Sequence, residues 1–481
     1  MPRRGPATNK RPPAADPPRD ARDAACRALA AQARAFPLLI PTPPDTAGLE
    51  SREAALAHAI HYAAIRRWLT LSFLIERAGG RPMGDLEPAI RAVLLAGAAQ
   101  LLLLDRVPAH AAIDQSVEWA KRRIRPKAAG LVNAVLRRMN DLIARDADGS
   151  PAMRDRWSDT RDEIPMPDGT ARALAADALP HDPLERLSIA TSVPRRALDR
   201  WNANAAPGPS QELRRTRALH ALVHPPTILN TRHANPAGPA LPDALSPHSQ
   251  PSHHVWTGTH GDLSALLASR PDIWVQDPAS SASAELARGA WSDPAAHNGA
   301  PHPEPRLIAD VCAGQGTKTR QLTALFPDAE ILATDTDPAR LDTLRATFAT
   351  HPRVRVVTRD QLAADALARG DLVLLDVPCS NTGVLPRRPE ARYRLSDRTL
   401  ERMGEIQRQI GADAIPLLAP RGRILYATCS LEPEENQAMA RWFARWHNLR
   451  ELASQSIEPA GLPGDPPAAY RDGSFAVLLG R

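Results

Sequence analysis

The chain has 481 residues, of which 43% are hydrophobic and 24% are charged, and its formal net charge is +6 at pH 7. This length predicts two or three domains with substantial cores, and the mild basic excess suits a polyanionic partner without identifying one. Four cysteines form neither a disulfide framework nor a metal-site pattern, so we expect a cytoplasmic protein without a bound metal. The longest apolar stretch, residues 92–104, is too short to span a bilayer and predicts a buried helix.

The amino-terminal part of the chain has a helical pattern. Residues 1–18 are rich in proline and arginine, lack the apolar segment of a secretion signal, and are predicted to be disordered. Over residues 19–147, apolar residues recur at three- and four-residue steps and strand signals are missing, which predicts an all-α domain. Pro126 is placed to open its last helix. The periodic stretches cover residues 54–78, 86–104, 111–123 and 127–143.

The middle of the chain has weaker patterns. Residues 148–180 are polar and mixed, which is typical of a linker. Residues 180–267 form a smaller mixed segment in which residues 227–231 are a candidate strand. Residues 236–254 are rich in proline, serine and histidine and therefore predict a loop.

From residue 268 to residue 481, strand and helix patterns alternate. This alternation predicts an α/β domain with a parallel, doubly wound sheet of the Rossmann type. Residues 292–305 interrupt the alternation and predict an inserted loop. The candidate strands cover residues 307–311, 331–334, 353–358, 372–375, 423–427 and 475–479.

The turn after the first of these strands has the features of a nucleotide-type site. It reads Asp-Val-Cys-Ala-Gly-Gln-Gly-Thr-Lys-Thr over residues 310–319. Its glycines let the backbone approach a ligand, and the following helix offers its amino-terminal amides. Asp335 follows at the end of the next strand, where a carboxylate can bind ribose hydroxyls. Because two glycines can also form an ordinary tight turn, the spacing and the acidic strand end carry this interpretation.

Two further strands are followed by acids, Asp360 and Asp376. Since the carboxyl ends of the strands line one crevice in such a sheet, we expect three carboxylates to share the site. The alternative for Asp360 is that it caps the next helix. Lys318 is the only lysine after position 127 in an arginine-rich chain. Because an ammonium group is smaller than a guanidinium and can lose its proton, we interpret Lys318 as a functional residue.

Two motifs each place a cysteine just beyond a strand. Asp-Val-Pro-Cys-Ser-Asn-Thr-Gly contains Cys379, and Tyr-Ala-Thr-Cys-Ser-Leu-Glu-Pro-Glu-Glu-Asn contains Cys429. A thiolate that adds to C6 of a cytosine makes C5 able to accept a methyl group, after which the C5 proton and the thiol must leave. One cysteine for attack and a second for release would explain the pair. The ordinary alternative for any cysteine is a structural role as a small buried hydrophobic residue. The motif context argues against this alternative for the pair, whereas Cys26 and Cys312 lack such a context and are interpreted as structural.

These motifs resemble those of the Sun/Fmu family of RNA 5-methylcytosine methyltransferases. The resemblance also includes Val-Gln-Asp at residues 275–277, Asp-Thr-Asp at 335–337 and Asp360. The helical part, which ends in Gly-Leu-Val-Asn-Ala-Val-Leu-Arg-Arg at 130–138, resembles the RNA-binding fold of the antitermination factor NusB. Parts of residues 180–267 resemble the family's small α/β connecting subdomain, so the resemblance spans most of the chain.

The resemblance implies that a methyl group is transferred from S-adenosyl-L-methionine to C5 of a cytosine in RNA, with 16S ribosomal RNA as the expected substrate. By position, it implies that Cys429 is the nucleophile and that Cys379 serves product release. It implies that Asp376 meets the cytosine edge, and we place Lys318 in the catalytic group with these three. The implied cofactor contacts are Cys312, Ala313, Gly314, Gln315, Gly316, Thr317, Lys318, Asp335, Asp360 and Asp376.

Some positions depart from the family's pattern. The family's turn usually reads Cys-Ala-x-Pro-Gly-Gly-Lys, whereas Gln315 replaces the proline and Thr317 replaces the second glycine. The other glycines and the lysine remain, so we expect cofactor binding to survive. Arg392 stands where the family often has lysine and is a candidate phosphate contact. Basic residues at 121–127 and 137–138 are candidate contacts to the RNA backbone, and a solvated helix face is the alternative.

Other functions remain to be weighed against this one. A non-catalytic, RNA-binding ribosome assembly factor would be favoured by loss of a motif cysteine, the acidic strand ends or the glycines, and all of these are present. DNA cytosine methylation would use the Pro-Cys cysteine as nucleophile, and the Thr-Cys-Ser motif and the helical domain argue against it. Adenine N6 chemistry would need Asn/Asp-Pro-Pro-aromatic where this chain has Asp-Val-Pro-Cys. We expect a monomer that binds RNA and no membrane.

Overall fold

The computed structural model describes residues 16–40, 42–203, 210–292 and 303–481. Most of the predicted tail at 1–18 and most of the predicted insertion at 292–305 lie outside the described residues. The chain divides into two compact units, with the border between Arg145 and Asp146.

The first unit is a helical bundle, which confirms the predicted all-α domain. Its helices are α1 (Ala21–Ala35), α2 (Ser51–Arg66), α3 (Trp68–Gly79), α4 (Pro88–Leu103), α5 (Ala109–Arg123) and α6 (Pro126–Asp141). Twelve of the sixteen residues of α4 are buried, so the longest apolar stretch is the central helix of this bundle. Pro126 opens α6, where its missing amide hydrogen would have had no partner in the helix. The helix predicted over residues 54–78 is divided at Arg67 into α2 and α3.

The described residues of the second unit form three sheets and the helices that flank them. Its strands are β1 (Met153–Arg154), β2 (Glu163–Pro165), β3 (Ala171–Ala173), β4 (Ile228–Asn230), β5 (Leu245–Pro247), β6 (His253–Trp256), β7 (Trp274–Val275), β8 (Leu307–Asp310), β9 (Glu330–Ala333), β10 (Val354–Val356), β11 (Gly370–Asp376), β12 (Leu418–Thr428), β13 (Arg450–Ile457) and β14 (Ser474–Gly480). Its helices are α7 (Pro183–Thr191), α8 (Arg195–Ala203), α9 (Ser210–His220), α10 (His260–Ser269), α11 (Pro278–Ser292), α12 (Thr317–Leu325), α13 (Pro338–Phe348), α14 (Arg359–Ala366), α15 (Ala391–Arg394), α16 (Asp397–Ala414) and α17 (Gln437–His447).

The largest sheet has seven strands in the order β10-β9-β8-β11-β12-β14-β13. Strand β14 is antiparallel to both of its neighbours, whereas the other pairs are parallel. The connection between β13 and β14 contains no α-helix, and a parallel pair would need a crossover of that kind. The predicted doubly wound sheet is therefore confirmed, with one strand running against the rest.

Helices cover both faces of this sheet. Apolar residues of α11, α12 and α13 pack on one face, and those of α14, α16 and α17 pack on the other. From β8 the sheet continues through β9 to β10 on one side, and from β11 it continues to β12 on the other side. The crevice at the carboxyl ends of β8 and β11 is therefore the switch point, where ligands bind in doubly wound folds.

Three parts of the secondary structure differ from the sequence predictions. The predicted linker at 148–180 contains the sheet β1-β3-β2, and the predicted loop at 236–254 contains β5 and the start of β6. Strand β13 has no counterpart among the candidate strands. Strands of two or three residues are too short to show a readable alternation, and β13 has no buried face whose pattern would mark it.

Candidate active site

The turn between β8 and α12 has a conformation that two glycines allow. Gly314 and Gly316 have positive φ angles of 58° and 89°, a region that other residues rarely adopt. A Cβ atom on Gly316 would lie 2.5 Å from a ring carbon of Phe348, whereas one on Gly314 would meet no atom within 4 Å. Gly316 is thus needed for packing against α13, and Gly314 borders open space in the crevice.

Asp335 lies beside this turn. Its Oδ2 accepts a hydrogen bond of 2.9 Å from the backbone N–H of Gly314, and its Oδ1 accepts one of 2.8 Å from that of Asp337. These two bonds hold the carboxylate in place and leave further lone pairs on both oxygens for a ligand hydroxyl. The adjacent Asp337 accepts two backbone hydrogen bonds as the cap of α13.

Asp360 is exposed in the first turn of α14. The cap of that helix is Thr358, which forms a capping box with Gln361. The capping alternative for Asp360 is therefore wrong, and its role as a cofactor contact stays a prediction.

Lys318 pairs with Asp376 inside the crevice. Its Nζ lies 2.8 Å from Asp376 Oδ2 and 3.3 Å from the hydroxyl of Ser280. The Lys318 side chain is only 13% exposed. Burial alone would lower the pKa of Lys318, but the Asp376 carboxylate outweighs burial and the pKa is raised. Lys318 is therefore a stable cation beside a carboxylate that is still partly open to solvent.

Asp310 is buried near the Lys318–Asp376 pair, and it was given no individual role from the sequence. Its side chain is fully buried, and its Oδ2 accepts a hydrogen bond of 2.6 Å from Thr319. Burial raises the pKa of Asp310 to about 7, and the charges of Asp376 and Asp335 act in the same direction. Asp310, Asp335 and Asp376 therefore bring carboxyl groups to the crevice beside the Lys318 ammonium group. The described residues contain no group of three or more His, Cys, Asp or Glu side chains placed to hold a metal ion.

The two motif cysteines meet beyond the ends of β11 and β12. The Sγ atoms of Cys379 and Cys429 are 3.2 Å apart, and Cys429 Sγ lies 3.3 Å from Asn381 Oδ1. The hydrogen bond to Cys429, together with burial, raises the pKa of Cys379 well above its usual value. Cys379 therefore keeps its proton more strongly than an ordinary cysteine and can donate it to the sulfur of Cys429.

Gly383 lets the two cysteine loops approach each other. Its N–H donates to the carbonyl of Cys429 over 2.9 Å, and its own carbonyl accepts from Gly473 over 2.7 Å. A Cβ atom at this position would lie 2.5 Å from the Gly473 oxygen and 2.8 Å from the Cys429 oxygen. Only glycine fits between these two backbones, which explains the glycine that ends the first motif.

Glu435 connects the same two loops through their serines, and its role was not predicted from the sequence. Ser380 and Ser430, the serines that follow the two cysteines, both donate to Glu435 Oε2 over 2.5 Å. The signal in the sequence was the repeated Cys-Ser pair together with an acid in the second motif. That signal cannot be interpreted without the three-dimensional contact.

Two family models match the chain. Residues 298–463 match the family described as 16S rRNA methyltransferase RsmB/F, and residues 19–141 match the NusB family. This confirms the resemblance drawn from the motifs and the NusB-like identity of the helical domain.

Several relatives match along nearly the whole length of the chain. It is 28% identical over 437 residues to ribosomal RNA small subunit methyltransferase B of Erwinia tasmaniensis, covering 89% of this chain and 90% of that protein. It is 29% identical over 421 residues to the protein of the same name from Xanthomonas campestris pv. campestris, covering 86% and 83%. The crystal structure of PH0851 superposes with a TM-score of 0.64 at 20% identity, covering 95% of this chain and 98% of that one, which supports the fold.

Asp277 of the Val-Gln-Asp segment belongs to a buried cluster with Arg387 and Asp472. It is buried at the start of α11, where it accepts a hydrogen bond of 3.3 Å from Arg387 and one of 3.1 Å from the N–H of Asp472. Arg387 also pairs with Asp472 over 2.7 Å. Burial and the Asp472 charge raise the pKa of Asp277 to about 7. This cluster joins the segment that follows the first cysteine motif to the loop before β14.

The predicted phosphate contact at Arg392 is wrong. This side chain is 1% exposed, and its guanidinium donates to the backbone carbonyls of Ala221, Thr191 and Leu385 over 2.8, 3.2 and 3.4 Å. A buried guanidinium bonded to carbonyls cannot reach a phosphate in solvent. Arg392 therefore joins α15 to the helices of the connecting region.

The basic residues of the helical domain divide into two groups. Arg123 pairs with the buried Asp23 over 2.8 Å, and Arg125 pairs with Glu87 over 2.7 Å. Lys127 and Arg137 are exposed on α6, and Lys121 and Arg122 are exposed on α5. Arg123 is therefore part of the scaffold, and the exposed cations of both helices stay candidates for RNA contact. None of the described helices is both long and apolar enough to cross a membrane.

Proposed function

We propose that this protein transfers a methyl group from S-adenosyl-L-methionine to C5 of a cytosine in RNA, and that its substrate is 16S ribosomal RNA. The observation that carries this proposal is the 3.2 Å separation of the Cys379 and Cys429 sulfurs at the carboxyl edge of the sheet that also holds the glycine turn. Relatives named ribosomal RNA small subunit methyltransferase B support the choice of RNA.

The residues of the crevice suit this methyl donor. S-adenosyl-L-methionine has positive charge on its sulfonium and amino groups, and Asp310, Asp335 and Asp376 bring carboxyl groups to a crevice that contains one lysine. Asp335 is placed for the ribose hydroxyls, and the 312–317 backbone is placed for close approach of the ligand. When bound, the cofactor supplies the methyl group. We assign Cys312, Ala313, Gln315, Thr317 and Asp360 to the same site by position in the family's motifs.

Cys429 is the proposed nucleophile. Its thiolate attacks C6 of the cytosine, the C5=C6 double bond opens, and C5 becomes able to accept a methyl group. The charge of Cys429 is among those that raise the pKa of Lys318, after the larger effect of Asp376. Asp376, held at 2.8 Å by Lys318, is the proposed contact to the exocyclic amino group and N3 of the base.

Cys379 is proposed to act in the release of the product. After methylation, a base removes the C5 proton, the electrons of that C–H bond restore the C5=C6 double bond, and the C6–S bond breaks with its electrons on Cys429. Because Cys379 keeps its proton and lies 3.2 Å from Cys429 Sγ, its S–H group can donate to the departing thiolate. Its loss should therefore slow release more than attack.

We propose the following division of labour along the chain. The helical domain at 19–147 and the connecting subdomain at 180–267 bind RNA, and the domain at 268–481 carries the reaction. The exposed cations of α5 and α6 are the proposed backbone contacts in the first of these.

The test uses radiolabelled S-adenosyl-L-methionine and ribosomal RNA from a strain that lacks this enzyme. We expect the wild-type protein to label C5 of cytosine, Cys429→Ala to label nothing, and Cys379→Ala to accumulate an RNA-linked protein band. Cys26→Ala is a matched control, because Cys26 is a buried residue of α1. If the wild-type protein labels no RNA, the assembly-factor function takes precedence. If Cys429→Ala forms the adduct instead, the roles of the cysteines are reversed.

A further inference from the structure

The Glu435 carboxylate is fully buried and accepts four hydrogen bonds. Its Oε1 accepts from the backbone N–H of Ser380 over 2.8 Å and from the side-chain amide of Gln407 over 3.1 Å. Its Oε2 accepts from the hydroxyls of Ser380 and Ser430, each over 2.5 Å. A buried carboxylate is costly unless it is satisfied in this way, so its hydrogen-bonding partners are tightly specified.

Three of these four donors belong to the residues that directly follow the catalytic cysteines. Ser380 follows Cys379, and Ser430 follows Cys429. The two hydroxyls are also only 3.1 Å from each other. Glu435 therefore joins the two loops at the peptide units next to the two thiols.

Glu435 is also held by residues of other elements. The hydroxyl of Tyr426, in β12, donates to the backbone carbonyl of Glu435 over 2.7 Å. Gln407, in α16, donates both to Glu435 and to the carbonyl of Pro378. The loops are thus positioned against the sheet and a packed helix, and not merely against each other.

We propose that Glu435 is a positioning residue that sets the separation of the Cys379 and Cys429 thiols through Ser380 and Ser430. The separation matters for release, because a thiol can stabilise the departing thiolate only at hydrogen-bond distance. The role of Glu435 in product release rests on the proposed function, whereas its role in positioning the thiols does not. Burial raises the pKa of Glu435 against the hydrogen bonds of the two serines, and Glu435 is one of the charges that raise the pKa of Cys379.

The first test measures the thiol pair without RNA. Phenylarsine oxide reacts with two neighbouring thiols, forming two As–S bonds and releasing water, and the affinity of the complex depends on how well the thiols are placed. The full-length Glu435→Asp variant keeps the charge but withdraws the carboxylate by one methylene. We expect its affinity for phenylarsine oxide to fall by about tenfold or more, the effect of losing one buried hydrogen bond to a charged group.

The matched control is Glu432→Asp. Glu432 is a buried glutamate of the same motif, but its carboxylate accepts from Arg200 and Trp201 and not from the two serine hydroxyls, so we expect the affinity of this variant to stay close to that of the wild-type protein. If Glu435→Asp binds the arsenical as tightly as the wild-type protein, the proposal is overturned.

A second set of variants covers the case in which Glu435→Asp does not fold. The Ser380→Ala and Ser430→Ala double variant removes only two hydroxyl groups, and we expect it to weaken arsenical binding as well. Wild-type affinity in this double variant would equally overturn the proposal.

The second test adds RNA and radiolabelled S-adenosyl-L-methionine. We expect Glu435→Asp to retain methyl transfer in the first turnover but to raise the ratio of RNA-linked protein to free methylated RNA, as expected for Cys379→Ala. A purely structural defect would lower both quantities together and leave their ratio unchanged, which would remove Glu435 from the release step. If the wild-type protein methylates no RNA while the arsenical results hold, the proposed function fails and the positioning role stands.

Discussion

Substitution of Gly316 by alanine tests whether the cofactor turn is held by packing against α13. Gly316 has a φ of 89°, and a left-handed conformation costs a residue with a Cβ about 1–2 kcal/mol. The new methyl group would lie 2.5 Å from Phe348 and 2.8 Å from Leu344. Overpacking of this kind costs about 1–3 kcal/mol more. The expected loss of unfolding free energy for Gly316→Ala is therefore about 2–5 kcal/mol.

The control is Gly314→Ala in the same turn. Gly314 has a φ of 58°, so the backbone strain is similar, but its Cβ would meet no protein atom within 4 Å. We expect this variant to lose only about 1–2 kcal/mol of unfolding free energy. Because the added methyl group projects into the open crevice, we expect its affinity for S-adenosylhomocysteine to fall by about tenfold or more, equivalent to about 1.4 kcal/mol.

The two variants and the wild-type protein would be compared by urea unfolding followed by circular dichroism, and by calorimetric titration with S-adenosylhomocysteine. The result that would refute the reasoning is equal destabilisation by both substitutions, since only Gly316 is packed against side chains. Unchanged affinity in Gly314→Ala would show that the crevice beside the turn is not where the ligand lies.

Three further substitutions give separate predictions. The pKa of Asp310 is about 7 in the folded protein against an ordinary 3.8, so its ionisation favours the unfolded chain and makes stability fall between about pH 4 and pH 7. Asp310→Asn keeps an acceptor for Thr319 and should remove the contribution of Asp310 to this loss of stability, which urea unfolding across that pH range would measure. Arg392→Lys should lower the free energy of unfolding by about 1.5–3 kcal/mol and leave the affinity for RNA, measured by filter binding, unchanged. Weaker RNA binding without a loss of stability would support a phosphate contact for Arg392 after all. Lys318→Arg should lower the single-turnover methylation rate by about a hundredfold, because a guanidinium cannot take the ammonium's position beside Asp376; activity within a few-fold of wild type would exclude a positional role for Lys318.

Much of the fold could be predicted because its patterns are local. The three- and four-residue periodicity located the helices of the first unit, and the alternation of apolar runs with helical stretches located most strands of the large sheet. The prediction found the three-residue strands β4 and β10 but missed β1, β2 and β3, which lie in a polar, mixed stretch. It also could not show that β14 runs antiparallel, because strand direction depends on how distant segments pair.

The candidate site was predictable as a set of residues but not as an arrangement. Strand ends marked Asp335 and Asp376, and the two motifs marked Cys379 and Cys429. The rule that strand ends share one crevice then placed them at one edge of the sheet. The phosphate role of Arg392 was wrong because sequence shows a charge without showing whether it is buried.

The sequence by itself determined which residues are candidates for the chemistry and in which order the elements follow, because residue types, turn glycines and periodicity are properties of neighbouring positions. Only the tertiary structure decided that the two sulfurs are 3.2 Å apart, that Gly383 is enclosed by two backbones, and that Glu435 joins both serines. The Cys379–Cys429 and Ser380–Glu435 contacts link residues 50 and 55 positions apart in the chain. Their distances depend on strand order and on close backbone approach, which no local pattern contains.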